Sequence, residues 1–274
     1  MARKAHLSHP KLLNEIQRQN VDELRSAGVA CVSAEKLFGN SEMLHRLQYE
    51  AHRLLSTPEV LEQIAQRRAP NHPKWYVIRA LGYRMQISLT DVLAEFFTHP
   101  ELLAVINNYF GMWCRLGYAD IWYNLVAHEG EPSIDSELWH RDHEDTQMVK
   151  VYFYVDGVTE SGGALQYIRG SQAGGKYAQV YPQKAAIGRY PPPGAVERQI
   201  DSVACQICSG PAGTLVLCDT AGLHRGGRTT TKPRVMITGT YVSNVGLDRR
   251  TIELENPMWW ETAEPESRYA LGRE

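Results

Sequence analysis

No run in this 274-residue chain approaches the roughly 18 consecutive apolar residues of a membrane-spanning helix. The opening stretch, MARKAHLSHPKLLNE, is basic but lacks the apolar core of a secretory signal. Charge of one sign is also missing: 29 Lys and Arg stand against 31 Asp and Glu, a net of −2. Proteins that bind nucleic acid or membrane surfaces normally carry a basic face, so neither partner is expected. Cysteine is sparse and odd in number (Cys31, Cys114, Cys205, Cys208 and Cys218). That argues against a disulfide framework and for a reducing compartment. A soluble, cytoplasmic protein is expected. No internal repeat or low-complexity linker divides the chain, so residues 1–274 read as a single domain.

What is present changes character along the chain. Residues 1–111 read as mostly helical support. Pro10 can open a helix behind Ser8, and residues 21–27 form a short helix stopped by Gly28, followed by a strand-like VACVS. SEMLHRLQYEAHRLL places Met43, Leu44, Leu47, Ala51 and Leu54 at helical spacing. Thr90 is a candidate N-cap for TDVLAEFF. Pro100 and Gly111 bracket another helix. From residue 112 the period becomes two. In MVKVYFYVDGV, Val149, Val151, Phe153 and Val155 share one face, and Lys150, Tyr152 and Tyr154 the other. GYADIWYNLVAH, GALQYI, GTLVLCD and RVMITGTYVS continue the pattern. Residues 112–245 therefore read as a β sandwich or small barrel, with helices packed against it and a C-terminal extension over 246–274. The Gly-, Pro- and Gln-rich stretch 172–209 is long for a connection between strands and reads as a lid or a disordered loop.

LWHRDHEDTQ, residues 138–147, concentrates ionisable side chains at the mouth of a core strand. On a strand His140 and Asp142 point to the same side and can reach one ion. Their mixed nitrogen and oxygen donors suit Fe(II) and similar divalent ions better than the thiolate sets of structural zinc. The pair alone would equally describe a solvated strand end. Farther on, DTAGLHRGGRTTTKPRVMITGTYV places His224 in a Gly-flanked turn. Arg234 opens the last strong strand, sharing a face with Met236, Thr238 and Thr240. An arginine and two threonines on one face of an apolar strand suit a small acidic ligand, because the guanidinium fork matches a carboxylate bidentately. Two histidines and one carboxylate form a facial triad that leaves other metal positions open, the usual arrangement of non-haem Fe(II) oxygenases. Cys205 and Cys208 lack a second pair nearby and read as ordinary cysteines. His6, His9, His45, His52, His72, His99 and His128 show no ligand spacing.

The ordered set WHRDHED, VYFYVDGVTESGGALQYIRGSQ, AGTLVLCDTAGLHRGG and KPRVMITGTYV resembles the phytanoyl-CoA dioxygenase family of Fe(II)/2-oxoglutarate oxygenases over residues 112–245. The helical first part fits more loosely. The resemblance implies a mainly β fold with flanking helices: a double-stranded β-helix, a cupin-like jelly roll, with the helical N-terminal part packed on it. It implies Fe(II) held by His140, Asp142 and His224, with 2-oxoglutarate and O2 as co-substrates. Arg234 would pair with the distal carboxylate of 2-oxoglutarate. Tyr152 matches a position lining that pocket, with Trp122 or Tyr123 as weaker candidates. Thr240, by its face, could donate to the co-substrate. Trp139, His143 and Arg169 are substrate candidates, with a solvated strand end as the blander reading for His143. One departure stands out: the family's frequent GSH is GSQ here, at Ser171 and Gln172, which leaves the metal ligands untouched.

The implied reaction is hydroxylation of a small molecule, with 2-oxoglutarate and O2 converted to succinate and CO2. Because halogenating relatives replace the carboxylate ligand with a small residue, Asp142 points away from halogenation. Desaturation or cyclisation by the same iron chemistry stays open, as does a cupin-like metalloenzyme that does not use 2-oxoglutarate. A binding module with a degenerate site would not need all three ligands. No nucleotide-cradling loop speaks for CoA, so a small polar metabolite or biosynthetic intermediate is preferred. Trp259 and Trp260 have no core pattern and read first as packing, then as a lid or the contact of a homodimer.

Overall fold

The computed structural model describes residues 2–9, 11–66, 76–82, 85–184, 189–247, 251–256 and 258–272. Pro10 and His72 lie outside them. The strands are β1 (Val29–Ser33), β2 (Val77–Arg79), β3 (Gln86–Leu89), β4 (Arg115–Asn124), β5 (Val149–Tyr154), β6 (Leu165–Ile168), β7 (Cys205–Cys208), β8 (Thr214–Cys218), β9 (His224–Arg225), β10 (Arg234–Val242) and β11 (Thr251–Leu254). Six make one antiparallel sheet in the order β1-β8-β5-β10-β4-β2. A second sheet is β7-β6-β9, and β3 pairs with β11 in parallel.

Among the described residues, seven helices precede β4: α1 (Ala2–Ser8), α2 (Glu15–Ala27), α3 (Ala34–Phe38), α4 (Glu42–Leu55), α5 (Pro58–Gln66), α6 (Asp91–Phe97) and α7 (Pro100–Phe110). Three more are α8 (Ala195–Gln199), α9 (Trp259–Thr262) and α10 (Pro265–Ala270). Helix α2 starts earlier than its apolar spacing suggested, because Asn14 and Gln17 form a reciprocal capping box. Thr90 caps α6 as expected, accepting from the Leu93 N–H. Pro100 and Gly111 bound α7.

The period-two pattern sorts the large sheet's faces. Val149, Val151, Phe153 and Val155 join Val235, Ile237 and Tyr241 against Leu24, Leu47, Phe96 and Phe97 of the helices. Gly239 lies in the middle of β10 because a Cβ there would run into the Phe97 ring. The opposite face packs Tyr152, Tyr154, Val216 and Met236 against Leu165, Tyr167 and Cys208 of the smaller sheet. Each large apolar side chain buried this way contributes roughly 1.5–3 kcal/mol. The first part is less purely helical than its sequence pattern: β1 and β2 form both edges of the large sheet. Trp260 is buried in the helix-side core and Trp259 packs on it, so both are packing residues.

Candidate active site

His140 and Asp142 do not sit on a regular strand. Single bridges pair His140 with His224 and Arg141 with Arg189. The His140 N–H donates to the His224 carbonyl at 2.9 Å, and the return bond is 3.0 Å. This exchange sets the two imidazoles side by side, 4.1 Å between centroids. The Asp142 N–H donates to the Thr220 carbonyl at 2.9 Å, tying the third group to the same turn. That turn is held by Asp219, whose carboxylate accepts from the Tyr109 hydroxyl at 2.6 Å and the Ala221 N–H at 3.0 Å. Gly222 completes it, because a Cβ there would collide with the Tyr167 hydroxyl.

His140, Asp142 and His224 converge, each offering one ligand atom, all within 4.8 Å of one another. His140 Nε2 lies 3.6 Å from Asp142 Oδ1, and His224 Nε2 lies 3.5 Å from Oδ2. Each Nδ1 contacts a backbone carbonyl, Leu138 at 2.8 Å and Gly222 at 3.0 Å. A carbonyl only accepts, so each Nδ1 carries the proton and each Nε2 presents a lone pair to the centre. Fixing the tautomer from the far nitrogen is how ligating histidines are normally prepared. Burial and the neighbouring His140 lower the His224 pKa to about 3, keeping it in the neutral, ligating form. Burial alone would raise the Asp142 pKa, but Lys150, His224 and His140 together pull it well below the carboxylate range. These donors fit a divalent ion with nitrogen and oxygen preference.

The triad opens into a cavity of about 360 Å³ that Arg234 also lines. The Arg234 guanidinium is buried and makes only long bonds, Nε to Asn124 Oδ1 and Nη1 to the Gly227 carbonyl, both 3.4 Å. Among the described residues, no carboxylate lies within ion-pair distance of it. Thr240 lines the same cavity, and its buried hydroxyl has no hydrogen-bond partner among the described residues. A buried cation without a counter-charge is costly, so this end of the cavity suits an anionic ligand.

The remaining candidates separate. Tyr152 and Trp122 line the cavity. Tyr123, one residue on, turns to the helix-side core by strand alternation. His143 reaches the mouth, its ring half-exposed and 3.9 Å from Glu144, because the chain leaves extended geometry after Asp142. Trp139 is buried outside the cavity, donating to Glu197 at 2.8 Å beneath the Arg225 guanidinium. Arg169 also lies outside it, reaching only the Val203 carbonyl at 3.5 Å. Neither position fits a direct substrate contact. Gln172 donates to the Arg25 carbonyl at 3.0 Å, away from the metal ligands. Cys205 and Cys208 stand at opposite ends of β7 and belong to no metal cluster among the described residues.

Several lining residues have no motif to announce them: Tyr76, Arg79, Glu137, Lys150 and Tyr190. For Lys150 the signal was a charge on an otherwise apolar strand. Tyr190 belongs to the 172–209 stretch and stacks on His140 at 5.3 Å and 10°. Arg141, between the two ligands, fastens that stretch. Its guanidinium donates to the carbonyls of Ser171, Tyr177, Val180, Tyr181 and Ala221 at 2.6 to 3.2 Å. Arg141→Met would leave these carbonyls without their donor, at 1–3 kcal/mol for each that water cannot reach. A loss on the order of 3 kcal/mol in urea unfolding is expected, with little recovered in Arg141→Lys, whose ammonium has only three donors. An unchanged midpoint would show that the stretch holds without it.

The sequence model of the phytanoyl-CoA dioxygenase (PhyH) family matches residues 24–236. The chain belongs to the phytanoyl-CoA dioxygenase family. It is an oxidoreductase whose chemistry depends on iron and 2-oxoglutarate. No curated protein is similar enough to count as a match. The fold is shared with solved structures of low identity. The epimerase SnoN, in complex with Fe3+, alpha ketoglutarate and nogalamycin RO, is 15% identical, with 85% of this chain and 86% of that one covered and a TM-score of 0.56. EctD from S. alaskensis, with 2-oxoglutarate and 5-hydroxyectoine, is 18% identical, with 97% and 87% covered and a TM-score of 0.55. HygX from Streptomyces hygroscopicus, with nickel, 2-oxoglutarate and hygromycin B bound, is 15% identical, with 88% and 92% covered and a TM-score of 0.51. Among the described residues, no helix is long and apolar enough to cross a membrane.

Proposed function

We propose that this family member is a dioxygenase that hydroxylates a small polar metabolite or biosynthetic intermediate. In this reading His140, Asp142 and His224 hold Fe(II), and Arg234 pairs with the distal carboxylate of 2-oxoglutarate. Thr240 donates a hydrogen bond, while Tyr152 and Trp122 form the cavity wall. The observation that carries it is one cavity containing both a proton-ordered His-Asp-His cluster and a buried arginine with no carboxylate partner among the described residues. The core is read as a double-stranded β-helix within a single domain: β8-β5-β10-β4 forms one face, and β7-β6-β9 with the His140 bridge forms the other.

Bound iron with 2-oxoglutarate and O2 supplies the oxidising power, yielding succinate and CO2. The chain's own residues prepare the place for it. The Leu138 and Gly222 carbonyls hold the imidazole protons on Nδ1. Arg234 orients the co-substrate from the far end. Tyr190, stacked on His140, shields the centre from water, as expected of a residue from a covering segment. SnoN is an epimerase, and SnoK, a solved structure 14% identical to this chain with a TM-score of 0.51, is a carbocyclase, so this scaffold supports outcomes other than hydroxylation. Asp142 is the residue that favours hydroxylation over halogenation.

The test is the visible spectrum under anaerobic conditions. Fe(II) followed by 2-oxoglutarate should give a weak charge-transfer band that needs both and is lost in His140→Ala and Arg234→Ala. Iron binding without the band would move the cupin-like reading ahead. With a substrate in hand, turnover in excess chloride should give oxygenated and not chlorinated major product; a chlorinated major product would overturn the role given to Asp142.

A further inference from the structure

The site contains a cation that the assigned chemistry does not use. Lys150 lies on β5, on the face shared with Tyr152, and its side chain is 11% exposed. Its Nζ sits 2.5 Å from Asp142 Oδ2, the oxygen that also lies 3.5 Å from His224 Nε2. The carboxylate of the triad is therefore already paired. Two neutral imidazoles, one carboxylate and one ammonium sum to no net charge. In a triad without such a lysine the sum is −1.

We propose that Lys150 is a resident counter-cation of the metal centre, which weakens metal binding by itself and strengthens binding of the dianionic co-substrate. A divalent ion entering beside Asp142 meets a fixed positive charge in a buried, weakly screening environment. A 2-oxoglutarate dianion arriving next is attracted by that same charge. Lys150 thus shifts affinity from metal to co-substrate, and the protein holds iron firmly only when 2-oxoglutarate is present. Lys150 is a positioning residue here, acting through Asp142. A purely orienting role is the competing account, in which the lysine only aims the carboxylate. The inference rests on the triad holding the metal.

Charge and hydrogen bonding are separable by substitution. Lys150→Met keeps the apolar stem and removes both the charge and the donor. Lys150→Gln removes the charge and keeps a donor. Metal binding is read by anaerobic calorimetric titration with Fe(II), with Co(II) as a second probe, in the absence of 2-oxoglutarate. Binding of 2-oxoglutarate to the metal-loaded proteins follows from the same charge-transfer band. The counter-cation role requires both variants to bind metal about 10-fold tighter or more than wild type, and to bind 2-oxoglutarate more weakly. The orienting role requires Lys150→Gln to match wild type and Lys150→Met to bind metal no better, and that result overturns the proposal. Far-UV circular dichroism confirms that each variant is folded; if Lys150→Met fails to fold, Lys150→Gln alone decides. His140→Ala in each background separates the two levels. Metal binding that survives it, or no binding by any of the proteins, sinks the triad assignment together with this inference. Loss of binding only with His140→Ala leaves the Lys150 comparison to stand by itself.

Discussion

Arg234→Ala is expected to raise the KM for 2-oxoglutarate by roughly two to three orders of magnitude, since removing one partner of a buried, hydrogen-bonded charge pair costs about 2–5 kcal/mol. The structure explains why the effect should be large. The guanidinium is buried, no described carboxylate pairs with it, and its two protein hydrogen bonds are long at 3.4 Å. A desolvated fork with no such partner fits the proposed hold on the distal carboxylate. Burial lowers its pKa, with only the electrostatic pull of Tyr154, Tyr152, Tyr76 and Glu137 in opposition, yet an arginine stays charged. The loss should be specific to the distal carboxylate. A 2-oxoacid lacking that group should be used poorly by wild type and no worse by the variant. Arg234→Lys should fall between, because one ammonium cannot reproduce the bidentate geometry. A KM for 2-oxoglutarate unchanged in Arg234→Ala would place the hold on the distal carboxylate at another residue.

His224→Ala is expected to weaken Fe(II) binding by at least three orders of magnitude and to abolish turnover. The turn that presents this imidazole is built by bonds that do not involve its ring: Tyr109 and Ala221 on Asp219, Ser171 Oγ on the Leu223 N–H, and the backbone exchange with His140. The fold should survive while the metal is lost. Metal that binds only the native state stabilises by about 2.7 kcal/mol at one hundred times Kd, or roughly 5–10 °C in Tm for a chain of this size. Wild type should show that gain on addition of Fe(II), lose it to a chelator, and His224→Ala should show none. A variant with the wild-type metal-dependent rise would place the ion elsewhere.

Much of this was legible because the chemistry is local in the chain. The strand carrying Val149, Val151 and Phe153 alternates cleanly, and its two faces meet two different cores. Thr90, Pro100 and Gly111 marked helix ends because capping depends on a few neighbouring residues. His140, Asp142, His224 and Arg234 stood out as charges placed against apolar strands. Other positions were decided by distant contacts. Trp139 adjoins His140 in sequence, yet both it and Arg169 lie outside the cavity, where the 172–209 stretch folds Glu197 onto Trp139 and Val203 onto Arg169. Tyr123 lost its place to strand alternation, which one residue of register decides. Tyr190 could not be found from sequence at all, since fifty residues separate it from the ring on which it stacks.

By itself the sequence determined the family, the helical and strand-forming halves, and the residue types able to hold a divalent metal and an acidic co-substrate. These follow from periodicity and from ionisable groups set in apolar surroundings, both of which are written in neighbouring positions. The tertiary structure decided which nitrogen of each histidine faces the centre, that Arg234 has no carboxylate partner among the described residues, and that Lys150 already occupies Asp142. The carbonyls that orient the histidines lie two residues before them and Lys150 eight residues after Asp142, but their convergence on one centre needs His140 to meet His224 and Arg234 to meet Asn124 across 110 residues, contacts that only chain closure supplies.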